Sequence, residues 1–365
     1  METVPCVQIL HLTPAQKKAY RIADNKLTLN GFWDENLLGL EFKDLSELDL
    51  DFSLDITGFS LPEIDLTIQS LSEKKEAPLD ALPEVDEKNI VCQLGDIWQL
   101  GKHRIYCGSS LDVESFSLLM DTDKARMIFT DPPYNVRISG HVCGLGAIQH
   151  DEFAMASGEM SVEEFVRFLQ TVCSHLKAYS LDGSLHYLCM DWRHITELTT
   201  ACNAIYTELK NLCIWNKDNG GMGSLYCSKH ELIFIYKNGK APHINNVELG
   251  KHGRYRTNVW DYPGVNSFGN QKQDLALHPT VKPVAMIADA IMDVTQRGDI
   301  VLDSFLGSGS TLLACEQTGR RCRGIELEAK YIDVTIKRWQ DMTGCDAIHI
   351  PLNKTYTMLM EELYG

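Results

Sequence analysis

From Val91 onward the chain alternates between two kinds of apolar run. Short runs that read as strands are Arg104–Cys107, Arg126–Thr130, Ser184–Met190, Asn211–Trp215, Glu231–Tyr236, Asp299–Asp303 and Cys322–Leu327. Longer runs with helical spacing are Ser161–Tyr179, Trp192–Ala204, Pro283–Val294, Ser310–Thr318 and Ala329–Met342. Strands bury residues with a period of two and helices bury a stripe with a period near 3.6. Alternating them satisfies both when helices cover the two faces of one sheet. The pattern predicts an α/β fold with a doubly wound, mostly parallel sheet of seven strands. Ligands of such sheets bind beyond the carboxyl ends of the strands, where the strand order reverses. The two motifs that carry chemistry both fall at strand ends.

One motif is Asp303-Ser304-Phe305-Leu306-Gly307-Ser308-Gly309-Ser310-Thr311, which follows Ile300-Val301-Leu302 and opens a helix. Its glycines allow a tight turn and close approach of backbone to ligand. The helix start offers free N–H groups to a carboxylate. Leu312 stands where a dinucleotide fingerprint has its third glycine, which points away from a pyrophosphate. Glu326 ends the next strand, 19 residues after Gly307, the spacing at which an acid grips ribose hydroxyls. Capping the following helix is the plainer alternative for Glu326.

The other motif is Thr130-Asp131-Pro132-Pro133-Tyr134-Asn135, after Met127-Ile128-Phe129. Two prolines stiffen the loop and remove N–H donors while leaving carbonyl acceptors. Asp131 adds a carboxylate acceptor, and Tyr134 a flat ring. The set suits a neutral planar group bearing an NH2, such as a nucleobase amine. A proline-rich turn with a packed tyrosine is the plainer reading.

Together the two motifs resemble those of the amino-methylating DNA methyltransferases. Asp131-Pro132-Pro133-Tyr134 is similar to their catalytic motif, and Phe305-x-Gly307-x-Gly309 to their S-adenosylmethionine motif. The order, catalytic motif first, matches the permuted β-type arrangement, as does His278-Pro279-Thr280-Val281-Lys282-Pro283. The resemblance spans about residues 91–342 and extends to Asn216–Gly223 and His252–Trp260. It is nearest to bacterial and phage adenine-specific enzymes fused to a ParB-like piece. It implies a Rossmann-like methyltransferase fold, S-adenosylmethionine as cofactor, double-stranded DNA as partner and N6 of adenine as target. N4 of cytosine and a catalytically silent DNA-binding regulator are the alternatives. A cytoplasmic setting and a homodimer are family-level expectations.

The resemblance assigns roles to named residues. Asp131 and the Pro132 carbonyl would accept hydrogen bonds from the target amine, and Pro133 would stiffen the loop. Tyr134 would stack on a base flipped out of the duplex. Asp303, Phe305, Gly307, Gly309 and Thr311 would hold the cofactor. Lys282 would bind its methionine end, Glu326 its ribose, and Ser109 or Asp112 would lie near its adenine, where the family commonly has Asp. Ser304 replaces the family's usual Pro and Ser310 a frequent Thr, both small. The only Pro-Cys pair is Pro5-Cys6, outside the catalytic half, so a thiolate attack at ring carbon 5 of cytosine is not expected.

The net charge of −16 argues against nucleic acid until its distribution is considered. Residues 1–90 hold 18 Asp/Glu and 8 Lys/Arg, whereas residues 211–280 carry a small positive balance. DNA contacts are therefore expected from the irregular region 216–275, with Lys251, Arg254, Arg256 and Asn258 as candidates for phosphates or base edges. The loop 135–160 is a candidate to close over DNA. Residues 1–71 resemble only the tail of a ParB-like domain, with 72–90 as a linker, 91–345 as the catalytic domain and 346–365 as a C-terminal tail. Thr13 is expected to cap a short N-terminal helix. The 12 cysteines lack C-x-x-C spacing, so packed thiols are expected rather than a metal or disulfide framework. No apolar run is long enough to suggest a membrane span, and no signal peptide is expected at the N-terminus.

Overall fold

The computed structural model describes residues 13, 16–19, 32–48, 52–72, 80, 83, 86, 88–136, 158–221, 225–251, 254–264 and 281–365. Most of the loop 135–160, residues 252–253 and the segment His278-Pro279-Thr280 lie outside them. The chain divides into two compact units. One comprises the residues up to Phe59 with Leu66–Lys75, the other Ser60–Asp65 with Glu76–Gly365.

In the smaller unit, helix α1 (Glu35–Glu47) is capped by Asp34, which accepts from the backbone N–H groups of Asn36 and Leu37. A Cβ on Gly39 would lie 2.9 Å from the Thr67 carbonyl, so glycine there lets α1 approach helix α2 (Leu61–Ser72). Phe42 packs edge-on against Phe59 at 5.3 Å. Upstream, Thr13 accepts from the Gln16 N–H, the expected cap.

The larger unit holds one mixed sheet. In chain order its strands are β1 (Ile97–Leu100), β2 (His103–Cys107), β3 (Ala125–Thr130), β4 (Ser180–Met190), β5 (Glu208–Gly221), β6 (Ser228–Lys237), β7 (Val259–Asp261), β8 (Ile300–Asp303), β9 (Arg321–Glu326), β10 (Ile348–His349) and β11 (Lys354–Thr355). Among the described residues the spatial order is β11-β10-β1-β2-β9-β8-β3-β4-β6-β5-β7. The central strands β2, β9, β8, β3 and β4 run parallel. The seven expected strands form the middle of the sheet, and β1, β10, β11 and β7 extend its edges. Those four are 2 to 4 residues long, too short for a periodic signal.

Helices α3 (Val113–Met120), α4 (Val162–Ala178) and α5 (Ile195–Asn203) supply apolar residues to one face of the sheet. Helices α6 (Val284–Val294), α7 (Ser310–Thr318) and α8 (Ala329–Thr343) supply the other. Strand alternation divides β3 accordingly: Met127 and Phe129 enter one core and Ile128 the other. From β3 the chain passes through α4 to β4, while from β8 it passes through α7 to β9 on the opposite side. The order therefore reverses between β3 and β8, which opens a crevice at their carboxyl ends.

Residues 346–365 are built into the sheet. His349 pairs with Trp98 of β1, and Tyr356, at the start of helix α9 (Tyr356–Tyr364), packs 5.7 Å from the same indole. Among the described residues, no helix is long and apolar enough to cross a membrane. Trp98 is fully buried. Trp98→Ala is expected to cost ~3–5 kcal/mol, read as a lower denaturation midpoint at unchanged m-value.

Candidate active site

The β3–β8 pairing sets Met127 beside Val301 and Ile128 beside Leu302, so both motifs leave the sheet side by side. A buried carboxyl ties them. Asp303 accepts from Thr130 Oγ1 at 2.9 Å, Thr311 Oγ1 at 2.7 Å and the Phe305 N–H at 3.0 Å. Burial outweighs these bonds and pushes the Asp303 pKa up to about 6. Asp303 and Thr311 thus brace the turn from inside while also bordering a cleft of about 1000 Å³, its open mouth included.

Gly307 and Gly309 both have positive φ, at 54° and 85°. A Cβ on Gly309 would lie 2.6 Å from Thr335 Cγ2, so no side chain fits there without displacing α8. Gly309 is also the N-cap of α7 and offers no side chain to its free N–H groups. At the end of β9, Glu326 accepts from the Gly307 N–H at 2.8 Å and the Glu328 N–H at 2.9 Å. Burial holds its pKa up at about 7 despite those donors. Phe305 lines the same cleft and lies 6.0 Å from Phe168 of α4.

Pro132 and Pro133 line the cleft beside Asp131 and Tyr134. The Tyr134 hydroxyl donates to Asp131 Oδ1, and Lys282 Nζ donates to Oδ2. Lys282 also lies 3.0 Å from Glu231 Oε2, and Lys217 Nζ donates to Glu231 Oε1. Two ammoniums and two carboxylates are thus packed together, which offsets much of the cost of burying them. Burial pushes the Asp131 carboxyl up and Glu231 adds to the shift, while Lys282 opposes it. Burial disfavours charge on Lys282, but Asp131 and Glu231 more than compensate and hold its pKa above the ordinary value. Burial likewise opposes the charge of Glu231, yet Lys282 and Lys217 bring its pKa down to about 2.

Lys282, expected at the methionine end of a cofactor, lines the same cleft as the glycine turn, and its ammonium donates to the Asp131 carboxylate. Glu231 and Lys217 were missed altogether. The available signal was an acid heading the apolar run Leu232-Ile233-Phe234-Ile235-Tyr236 in β6. Ser109 also moves: its hydroxyl accepts from the Leu111 N–H, and it is Ser110 that lines the cleft. Asp112 is exposed and caps α3.

The DNA candidates separate into two groups. Arg254 is buried, with Nη2 2.8 Å from Asp293 Oδ1 and 3.3 Å from Asp289 Oδ1. Arg256 reaches Asp289 Oδ2 at 3.0 Å, Asp293 Oδ2 at 3.2 Å and the Tyr262 hydroxyl at 2.7 Å. These guanidiniums anchor the loop 254–262 to α6, so the expectation that they meet phosphates is revised. Lys251 is exposed and pairs with Glu248 at 2.9 Å. Asn258 is exposed and donates to the Leu212 carbonyl of β5.

Comparison with known proteins matches residues 125–337 to a family described as DNA methylase and residues 36–94 to a ParB-methyltransferase HTH domain. The Type II methyltransferase M2.MboI of Moraxella bovis is 25% identical over 66% of this chain and 88% of its own length. The DNA adenine methyltransferase YhdJ of Escherichia coli is 26% identical over 58% of this chain and 75% of its own. The solved PvuII DNA methyltransferase, titled cytosine-N4-specific, superposes with a TM-score of 0.51 at 14% identity, covering 74% of this chain and 97% of that one. That likeness concerns the fold.

A ligand that donates hydroxyls to Glu326 requires the carboxylate. Affinity for such a ligand is expected to be full above pH 7 and to fall about tenfold per unit below it. Titration calorimetry with S-adenosylmethionine from pH 5.5 to 8.5 reads this, and Glu326→Gln should abolish the pH dependence while weakening binding.

Proposed function

Because the chain belongs to the DNA methylase family, we propose that it is a site-specific DNA methyltransferase that moves a methyl group from S-adenosylmethionine to N6 of adenine. The observation that carries the reading is the meeting, in one cleft, of the Asp131 carboxyl group with a glycine-lined turn and the Glu326 carboxyl group. The residues present fit the cofactor. Gly307 and Gly309 let a ligand approach the backbone closely, the start of α7 suits its carboxylate, and Glu326 suits its hydroxyls. When bound, S-adenosylmethionine supplies an electrophilic methyl on a sulfonium. Phe305 and Tyr134 offer ring faces to a cation of that kind.

The amine of adenine is a weak nucleophile because its lone pair is delocalised into the ring. Asp131 and the Pro132 carbonyl are acceptors for its two hydrogens. Donation to them localises the lone pair on nitrogen and aims it at the methyl. The gain is positional and electrostatic, and it needs no covalent enzyme adduct. The amine of a paired adenine cannot enter the cleft while its base is stacked in the duplex, so the base must leave the stack, and Tyr134 provides the surface on which it rests. Outside the cleft, exposed Lys251 and Asn258 remain candidates for the duplex. A lysine on a phosphate would strengthen binding to all sequences alike.

Adenine is favoured by Asp at position 131 and by the adenine enzyme among the relatives. Transfer of tritiated methyl groups to unmethylated DNA, followed by nucleoside chromatography, tests it. Label is expected in N6-methyl-2′-deoxyadenosine, with a loss of about 100-fold or more in Asp131→Ala at unchanged cofactor affinity. Label in N4-methyl-2′-deoxycytidine would reassign the base. Absence of label despite cofactor binding would overturn the enzymatic reading.

A further inference from the structure

Asp131 is the group that the proposed function asks to accept the target amine, yet both of its oxygens already carry a donor. Tyr134 holds Oδ1 and the Lys282 ammonium holds Oδ2. Lys282 therefore stands on the same carboxylate that an NH2 donor must reach. Its second carboxylate, Glu231, lies 3.0 Å away on β6, a strand separated from β3 by β4. Glu231 is itself held by Lys217 from β5, whose ammonium also lies 4.5 Å over the Trp215 ring.

We infer that Glu231 is a positioning residue, which acts through Lys282 to orient Asp131 and to give the ammonium a second seat when the amine arrives. The inference rests on the reading of Asp131 as the amine acceptor. Two observations carry it. Glu231 has 13% of its side chain exposed, and its two oxygens are divided between Lys217 and Lys282. Lys282 lies between the two carboxylates, so a short movement of Nζ toward Glu231 frees Oδ2 without leaving a buried ammonium unpaired. A lone Lys282 on Asp131 would have no such alternative, and desolvation would penalise its release.

The charged and titratable groups around Asp131 are Lys282, Glu231 and Tyr134, with Cys189 from β4 and Asp303 from β8 farther out. Each acts on it with a known sign. The negative Glu231 disfavours a second negative charge nearby, and the positive Lys282 favours it.

The test is kcat against pH for the full chain on DNA, with cofactor affinity measured alongside. Glu231→Gln keeps the shape and removes the charge. It is expected to lower kcat about 10- to 100-fold with cofactor affinity within about twofold of wild type, and to move the acid limb of the profile to lower pH. Lys282→Met is expected to move that limb to higher pH. The charge of Glu231 acts on Asp131 through space whatever its role, so the discriminating readout is kcat: a Glu231 that only packs would leave kcat of the isosteric Glu231→Gln at the wild-type value. Should Glu231→Gln fail to fold, Lys217→Met reads the same network from the partly exposed side, and the acid limb is then expected to move up. Unchanged kcat at the plateau of the profile in Glu231→Gln, with Asp131→Ala inactive, would overturn the inference alone. Retained transfer in Asp131→Ala would overturn the assignment of the reacting site beneath it.

Discussion

The structure depends on one buried hydrogen-bonded carboxyl. Asp303 ends β8 and takes donors from Thr130, which ends β3, and from Thr311 in the first turn of α7. It therefore fixes the distance between the loop that begins at Asp131 and the turn that contains Gly307 and Gly309. Neither loop could set this distance alone, because each leaves the sheet as irregular backbone. Parallel pairing of β3 with β8 brings the two strand ends together, and the reversal of strand order opens the space above them. A group-transfer reaction needs donor and acceptor held within a fraction of an ångström, and a rigid junction between adjacent strands supplies this.

Around that junction the protein keeps charge where packing alone would exclude it. Asp131, Glu231, Lys217 and Lys282 form a nearly neutral cluster, so the desolvation penalty of each is offset by its partners. Burial pushes the Asp131 carboxyl group up, and Lys282 opposes that shift. Lys282 favours its charged form while Glu231 disfavours it, and the Tyr134 hydroxyl fixes its orientation. A comparable arrangement outside the cleft has a mechanical purpose. Arg254 and Arg256 grip Asp289 and Asp293 and fasten the irregular loop 254–262 to α6. Because α6 follows Lys282 directly, the loop proposed to meet DNA and the lysine on Asp131 share one support.

Much of this was legible in the sequence because its signals are local. The seven principal strands and five principal helices all appear, and Ser310–Thr318 matches at both ends, whereas β4 starts at Ser180 rather than Ser184 and β5 runs Glu208–Gly221 rather than Asn211–Trp215. The two motifs were legible because each couples a strand end to residues that only a special backbone tolerates. What escaped notice is non-local. Glu231 and Lys217 meet Lys282 only because β5 and β6 fold back beside the crevice, and no spacing in the chain encodes that. Arg254 and Arg256 looked like phosphate contacts because their partners, Asp289 and Asp293, lie more than thirty residues away. The edge strands β10 and β11 are two residues each and acquire their register from β1.

The Asp131 loop and the glycine-lined turn border one cleft and are proposed to act as a single reacting site. A crystal structure with S-adenosylmethionine bound tests it most directly. Ribose hydroxyls are expected on Glu326, the methionine carboxylate at the start of α7, and the sulfonium methyl facing the space in front of Asp131, within about 3–3.5 Å of where an amine held by that carboxylate would lie. A cofactor seated elsewhere, or one whose methyl points away from Asp131, would contradict it.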